Sequence, residues 1–236
     1  MSLSRVEISR AFSRAKEFVS GHKGSIALFW IILVFADALN YFFQSQIGQR
    51  SAENSRVIEI FFQLFILFYS VVFIHFISNK FHRRRIGFLA LTGESLMLSP
   101  GYLLQAILYV ITVMISLCLL VLPGIYCGIR FYFAPLLSVL YPGYKGRTFM
   151  LSHELSRGQE FTALVIILIT AIVPFIPDGI GLLLTGELKS IWSLWLAPFD
   201  GLLFLFGELL VVFYVLGLLE KSFPQDFTQP VEEKSA

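Results

Sequence analysis

The chain has 236 residues, 56% of them hydrophobic and only 14% charged, with a net charge of +2. Soluble domains are about 45–50% apolar, and the polar helix and strand faces that such a domain needs are largely missing here. The small net charge gives no reason to expect nucleic acid as a partner, and two cysteines provide no disulfide framework.

Residues 4–20 read as a separate helix. Ser4 and Glu7 have capping-box spacing, and Gly21 can serve as the C-terminal stop. Ile8, Ala11, Phe12, Ala15 and Val19 fall on one face, while Arg5, Arg10, Arg14 and Lys16 lie mostly elsewhere. The pattern predicts that residues 1–24 form a basic amphipathic helix at the membrane surface. A helix packed on the protein's own flank fits the same pattern, and the two readings are compatible.

The first long apolar run, Ser25 to Phe43, follows this basic segment. It is too long for a typical signal-peptide core, contains Asp37 and Asn40, and is followed by no small-x-small cleavage site. It reads as an uncleaved span. Six spans are expected in all, near 25–45, 57–79, 101–122, 125–141, 161–177 and 199–219. The third opens at Ser99 as N-cap with Pro100 at the first helical position. Pro123-Gly124 makes a tight turn into the fourth, and Pro174 and Pro177 break the fifth. A helix needs roughly 20 residues to cross a hydrocarbon core, so the fourth and fifth are short.

The connectors have patterns of their own. Residues 86–98 and 147–157, the latter closed by Gly158, read as inner helices. Residues 179–197, with Trp192 and Trp195, read as an outer interfacial segment. The tail, 222–236, is polar and expected to be disordered and cytoplasmic. Placing 14 of the 18 basic residues on one side requires an even number of spans with both termini in the cytoplasm. The fold class is therefore all-α: a polytopic bundle over 25–221 behind an N-terminal surface helix.

Two short runs carry a resemblance. Leu122-Pro123-Gly124-Ile125-Tyr126, followed by Arg130, resembles a turn in the YciC-like bacterial inner-membrane family and in the membrane domain of some glycerophosphoryl diester phosphodiesterases. Ser152-His153-Glu154-Leu155-Ser156-Arg157-Gly158 is similar to a Ser-Trp-Glu-Leu-Thr-Arg-Gly run after the fourth span in those families, with His153 in place of Trp. The resemblance implies a six-span protein of the bacterial inner membrane. The catalytic phosphodiesterase domain of the fusions is not in this sequence.

The chemistry-bearing residues form no catalytic or metal-binding constellation. Ser152, His153 and Glu154 are adjacent, and neighbours on a helix point about 100° apart, so they build no relay by themselves. His22, His75, His82 and His153 lack metal-ligand spacing, and no cofactor is expected. His75 reads as a packed or snorkelling residue. Gly124 and Gly128 have the spacing of a close helix contact, and Cys118 and Cys127 read as free thiols. Lys80, Arg83, Arg84 and Arg85 form a juxtamembrane cluster suited to anionic lipid headgroups on the cytoplasmic side.

Three charges fall inside spans. Asp37, Arg130 and Glu208 lie roughly 12, 9 and 14 Å below the outer surface at 1.5 Å per residue. An ionised side chain deep in a span costs about 2.5–3.5 kcal/mol, so pairing is expected, with Arg130 facing the interior and meeting Asp37, Glu208 or both. Arg130 snorkelling outward alone is the competing outcome. The expected function is a non-enzymatic inner-membrane protein that supports or organises the envelope through lipid or protein partners. The alternative is a small transporter or permease subunit, motivated by the broken fifth span and the buried charges. An intramembrane lipid enzyme lacks paired catalytic groups.

Overall fold

In the computed structural model, residues 2–48, 52–84, 86–142, 146–172 and 191–222 are described, and among them all regular structure is helical. The helices are α1 (Ser2–Gly21), α2 (Lys23–Phe43), α3 (Ala52–Phe81), α4 (Phe88–Leu119), α5 (Val121–Phe131), α6 (Ala134–Leu140), α7 (Thr148–Ser156), α8 (Glu160–Ile172) and α9 (Ile191–Ser222). Five stretches are long and apolar enough to cross a membrane: Lys23–Gln46, Ser55–Phe81, Phe88–Leu119, Val121–Leu140 and Pro198–Ser222. The expected fifth span is described only as the 13 residues of α8. Its predicted break at Pro174–Pro177 lies outside the described residues, as do most of 179–197 and the tail beyond Ser222.

Several boundaries differ from the sequence reading. The helix expected to begin at Pro100 begins at Phe88, so the connector 86–98 and the third span are one 32-residue helix. Pro100 removes the amide that would serve the Leu96 carbonyl, and the Ser99 hydroxyl donates to the Ser95 carbonyl at 2.8 Å beside it. At 1.5 Å per residue α4 spans about 48 Å, well beyond a 30 Å core. The turn into α5 is a single extended residue, Leu120 (φ −160°, ψ 141°), and Pro123 sits in the first turn of α5. The fourth span is broken in two at Tyr132–Phe133, with Pro135 at the start of α6. Residues 191–197, read as interfacial, form the opening turns of α9.

The N-terminal helix does not begin with the expected capping box. Ser4 lies inside α1, and Glu7 is instead bonded to Lys221 at 2.9 Å. Gly21 does end the helix, and His22 alone separates α1 from α2. Of the apolar face, Ala11 and Ala15 are buried, Ile8 and Val19 pack on the core, and exposed Phe12 meets Phe206 edge-on at 5.2 Å. Alanine at the two closest positions lets α1 lie tight against α9.

The core is built around α9. Val212, Phe213, Tyr214, Val215 and Leu216 are all nearly sealed. Phe18 of α1 meets Phe213 at 5.4 Å and Phe76 of α3 at 6.1 Å. Phe29 of α2 packs on Phe73 and Phe76 at 5.0 and 5.2 Å and accepts the Tyr69 hydroxyl on its carbonyl at 2.8 Å. At the other end of α9, Trp30 Nε1–H donates to the Pro198 carbonyl at 2.8 Å. Gly201, with the Leu33 and Trp30 side chains about where a Cβ contact would begin, allows that approach. The ends of α1, α3 and α9 thus gather at one end of the bundle, which also carries the Lys80–Arg84 cluster.

A candidate polar site inside the helix bundle

Arg130 is the last-but-one residue of α5, one step before the chain breaks. Its main chain and side chain are both engaged. The carbonyl accepts the Ser152 hydroxyl at 2.8 Å and the Ser156 hydroxyl at 3.4 Å, both from α7. Those two serines and Thr148 recur every fourth residue and are all buried, so α7 turns a hydroxyl stripe inward. The guanidinium lies over the Tyr126 ring, one turn back, at 4.9 Å from its centroid. Its Nη1 donates to the His153 carbonyl at 3.1 Å, and its Nη2 to Glu160 Oε1 at 2.5 Å.

Arg130 therefore faces the interior, 6% exposed, and the carboxylate that closes on it is Glu160 at the first turn of α8. Burial opposes ionisation of Glu160. Against it, the backbone N–H groups of Glu160 and Gly158 and the Arg130 guanidinium hold its carboxyl below the usual carboxylate range. Gly158, at φ +77°, provides the left-handed turn that swings α8 back toward α5. One guanidinium thus ties α5, α7 and α8 together at the point where the fourth span is interrupted.

The ion pair of Arg130 is thus with Glu160, where Asp37 or Glu208 was expected. Asp37 is half-buried on α2. Glu208, half-buried on α9, lies beside Ser70 of α3 and near the Tyr69, Tyr102 and Tyr132 phenols. The Tyr132 and Thr170 hydroxyls are 3.2 Å apart beside it, and Gly207 lets Thr170 of α8 come close. This is a polar, aromatic region within the bundle, contributed by α3, α4, α8 and α9.

Sequence reasoning missed a third polar contact. His75 Nδ1 meets Ser95 Oγ at 3.1 Å, and Nε2 meets Glu94 at 3.4 Å. Glu94 and Ser95 are neighbours on α4, and no local motif links them to His75 on α3. Ser95 is fully buried, so its hydroxyl clasps two helices and is not presented to a substrate. His75 is packed, as expected. The Ser152-His153-Glu154 run is likewise committed to Arg130, through the Ser152 hydroxyl and the His153 carbonyl.

In the basic cluster, Lys80 lies over the Phe76 ring at 5.7 Å. Arg83 adopts φ 58°, and the Arg84 amide reaches back to the Asn79 carbonyl at 2.8 Å, a left-handed helix stop made without glycine. Lys80, Arg83 and Arg84 are exposed, and Arg85 lies outside the described residues. Gly124 is in close contact: a Cβ there would stand 2.8 Å from the Leu117 Cα. Gly128 accepts the Tyr109 hydroxyl on its carbonyl at 3.3 Å. Cys118 and Cys127 are free thiols, and among the described residues no three metal-ligating side chains converge. No family model, curated protein or solved structure matches this chain.

Proposed function

We propose that this is a non-enzymatic, six-span protein of the bacterial inner membrane, with both termini in the cytoplasm, that organises the envelope through lipid or protein partners. The observation that carries the reading is the flank of α4. Leu104, Ile107, Val110, Ile111, Met114 and Ile115 form an exposed apolar surface with no helix over it among the described residues, and such patches mark a lipid or protein interface. A lateral groove of about 540 Å³ beside Arg56, Glu59, Gln63 and Leu67 of α3 adds a second membrane-facing recess. The basic end of the bundle, with Lys80, Arg83 and Arg84 exposed, suits anionic headgroups of the cytoplasmic leaflet. The exposed Arg10 and Lys16 of α1 extend that surface. The Leu122–Tyr126 and Ser152–Gly158 runs support membership of the YciC-like family.

A transporter or permease subunit is the second reading, favoured by Glu208 among tyrosines next to the interrupted fourth span. Isolation of the protein in native lipid particles tests the first. A stoichiometric lipid or protein partner is expected; bulk lipid with no protein partner would defeat it. A reporter fused after Ala236 should be active only in the cytoplasm.

A further inference from the structure

A pocket of about 250 Å³ lies between α1 and the last turns of α9. Its walls carry three cations, Arg10, Arg14 and Lys221, and two carboxylates, Glu7 and Glu220. Arg14 Nη2 pairs with Glu220 at 2.9 Å, and Lys221 Nζ with Glu7 Oε1 at 2.9 Å. Each pair engages one nitrogen of the cation and one oxygen of the carboxylate, which leaves further donors and acceptors unused. Glu7 Oε2, Arg14 Nη1 and the Tyr214 hydroxyl are buried and have no hydrogen-bond partner among the described residues. Tyr214 is 2% exposed, and buried polar groups of this kind are normally satisfied.

Gly217 shapes the site. Its missing side chain leaves room for Arg14 Nη1, which stands 3.9 Å from where a Cβ would be. Ala11, Phe213 and Leu218 give the pocket an apolar side. It lies at the end of the apolar stretch Pro198–Ser222, the level at which hydrocarbon gives way to headgroups.

We infer that this pocket binds a phosphoethanolamine group, that of a zwitterionic phospholipid. The phosphate takes donors from Arg14, Arg10 and Tyr214, and the primary ammonium donates to Glu7 Oε2. The free heteroatoms of Glu7 and Arg14 are covered as the side chains stand, so binding requires both side chains to turn into the pocket. A headgroup without an ammonium leaves the Glu7 oxygen unmatched, and a quaternary one has no N–H to give it. The glycerol and acyl chains run along the apolar side. The inference deepens the lipid-organiser reading and rests on it for the placement of the pocket at a leaflet.

The test is stepwise delipidation of the full-length protein, followed by mass measurement of intact protein–lipid complexes. Phosphatidylethanolamine, phosphatidylglycerol and phosphatidylcholine are added back separately, and soluble glycerophosphoethanolamine in a fourth arm. One phosphatidylethanolamine per chain should be retained about tenfold more tightly than either other lipid, the scale of one hydrogen bond to a charged group. Glu7→Gln should abolish the preference over phosphatidylglycerol. Gly217→Leu should expel the lipid by filling the space under Arg14. Tyr214→Phe removes only a hydroxyl, so it keeps the helix packing and should weaken retention. Tighter binding of the lipid than of the soluble group assigns the membrane as source; equal binding assigns a soluble ligand. Equal retention of all three lipids, or wild-type retention in all three variants, overturns the pocket. If the variants lose selectivity for no lipid yet others still copurify, the organiser reading survives without this site.

Discussion

Helices α4 and α9 are each 32 residues long and similarly apolar, yet they have opposite fates. In α9, 67% of the most apolar stretch is buried within the protein; in α4 the figure is 6%. Apolar character commits both to the membrane, because lipid and protein interior are equally apolar. What separates them is shape. α9 offers Gly201 and Gly207 where neighbours approach, and α1, α2, α3 and α8 close around it. α4 touches α3, α5 and α6 along one side and, among the described residues, leaves its other flank bare.

The largest expected effects break this contrast at its centre. Leu216→Ala on α9, where the side chain is fully buried, should cost about 2–4 kcal/mol. Met114→Ala on α4 should change stability by less than about 0.5 kcal/mol. Unfolding in mixed micelles measures both, and equal losses would show that α4 is as central as α9. The Arg130 tie comes next. Arg130→Met removes charge-assisted bonds to Glu160 and the His153 carbonyl, and should cost about 1.5–3 kcal/mol, the Glu160 share reduced by solvent screening. Adding Glu160→Gln should recover part of that loss, read as a double-mutant cycle.

Gly124→Val sharpens the comparison from the side of α4. Its branched side chain would collide with Leu117 across the α4–α5 turn, and should cost about 1–3 kcal/mol in the same assay. The smallest effect is in pH. Glu160 is held below the ordinary carboxylate range, so its contribution is present at neutral pH. It is lost as pH falls through that depressed value. Glu160→Gln should lower the neutral plateau and flatten the acid limb of the stability profile, so that variant and parent converge at low pH.

The spans of this chain were legible because apolar runs and basic connectors are local signals. Arg130 was legible as an inward-facing charge because lipid penalises it. Its partner was not, since Glu160 lies 30 residues on, in a stretch that reads as the edge of another span. The hydroxyl stripe Thr148, Ser152 and Ser156 was the signal available: polar residues at every fourth position of a connector mark a face turned toward protein. The merger of 86–98 with the third span was hidden by Pro100, which reads as a helix start until Ser99 is seen to serve the Ser95 carbonyl. The division between central α9 and peripheral α4 is a property of packing, to which composition is blind.

The turn at Leu120 has a mechanical consequence. The Leu120 amide donates to Ser116 at 3.0 Å and its carbonyl accepts from Gly124 at 3.1 Å, so the one extended residue exposes no orphan backbone group. Leu119, Leu120, Val121 and Leu122 around it are all exposed and all apolar. The Val121 and Leu122 amides beside it lie in the uncapped first turn of α5 and have no intrahelical partner, so the tip belongs at the polar edge of the bilayer and not inside hydrocarbon. The α4–α5 hairpin is held along its length by α3 and α6 and at its far end by the Arg130 tie, so its tip acts as a fixed depth marker, with an apolar collar set just inside the edge of the bilayer.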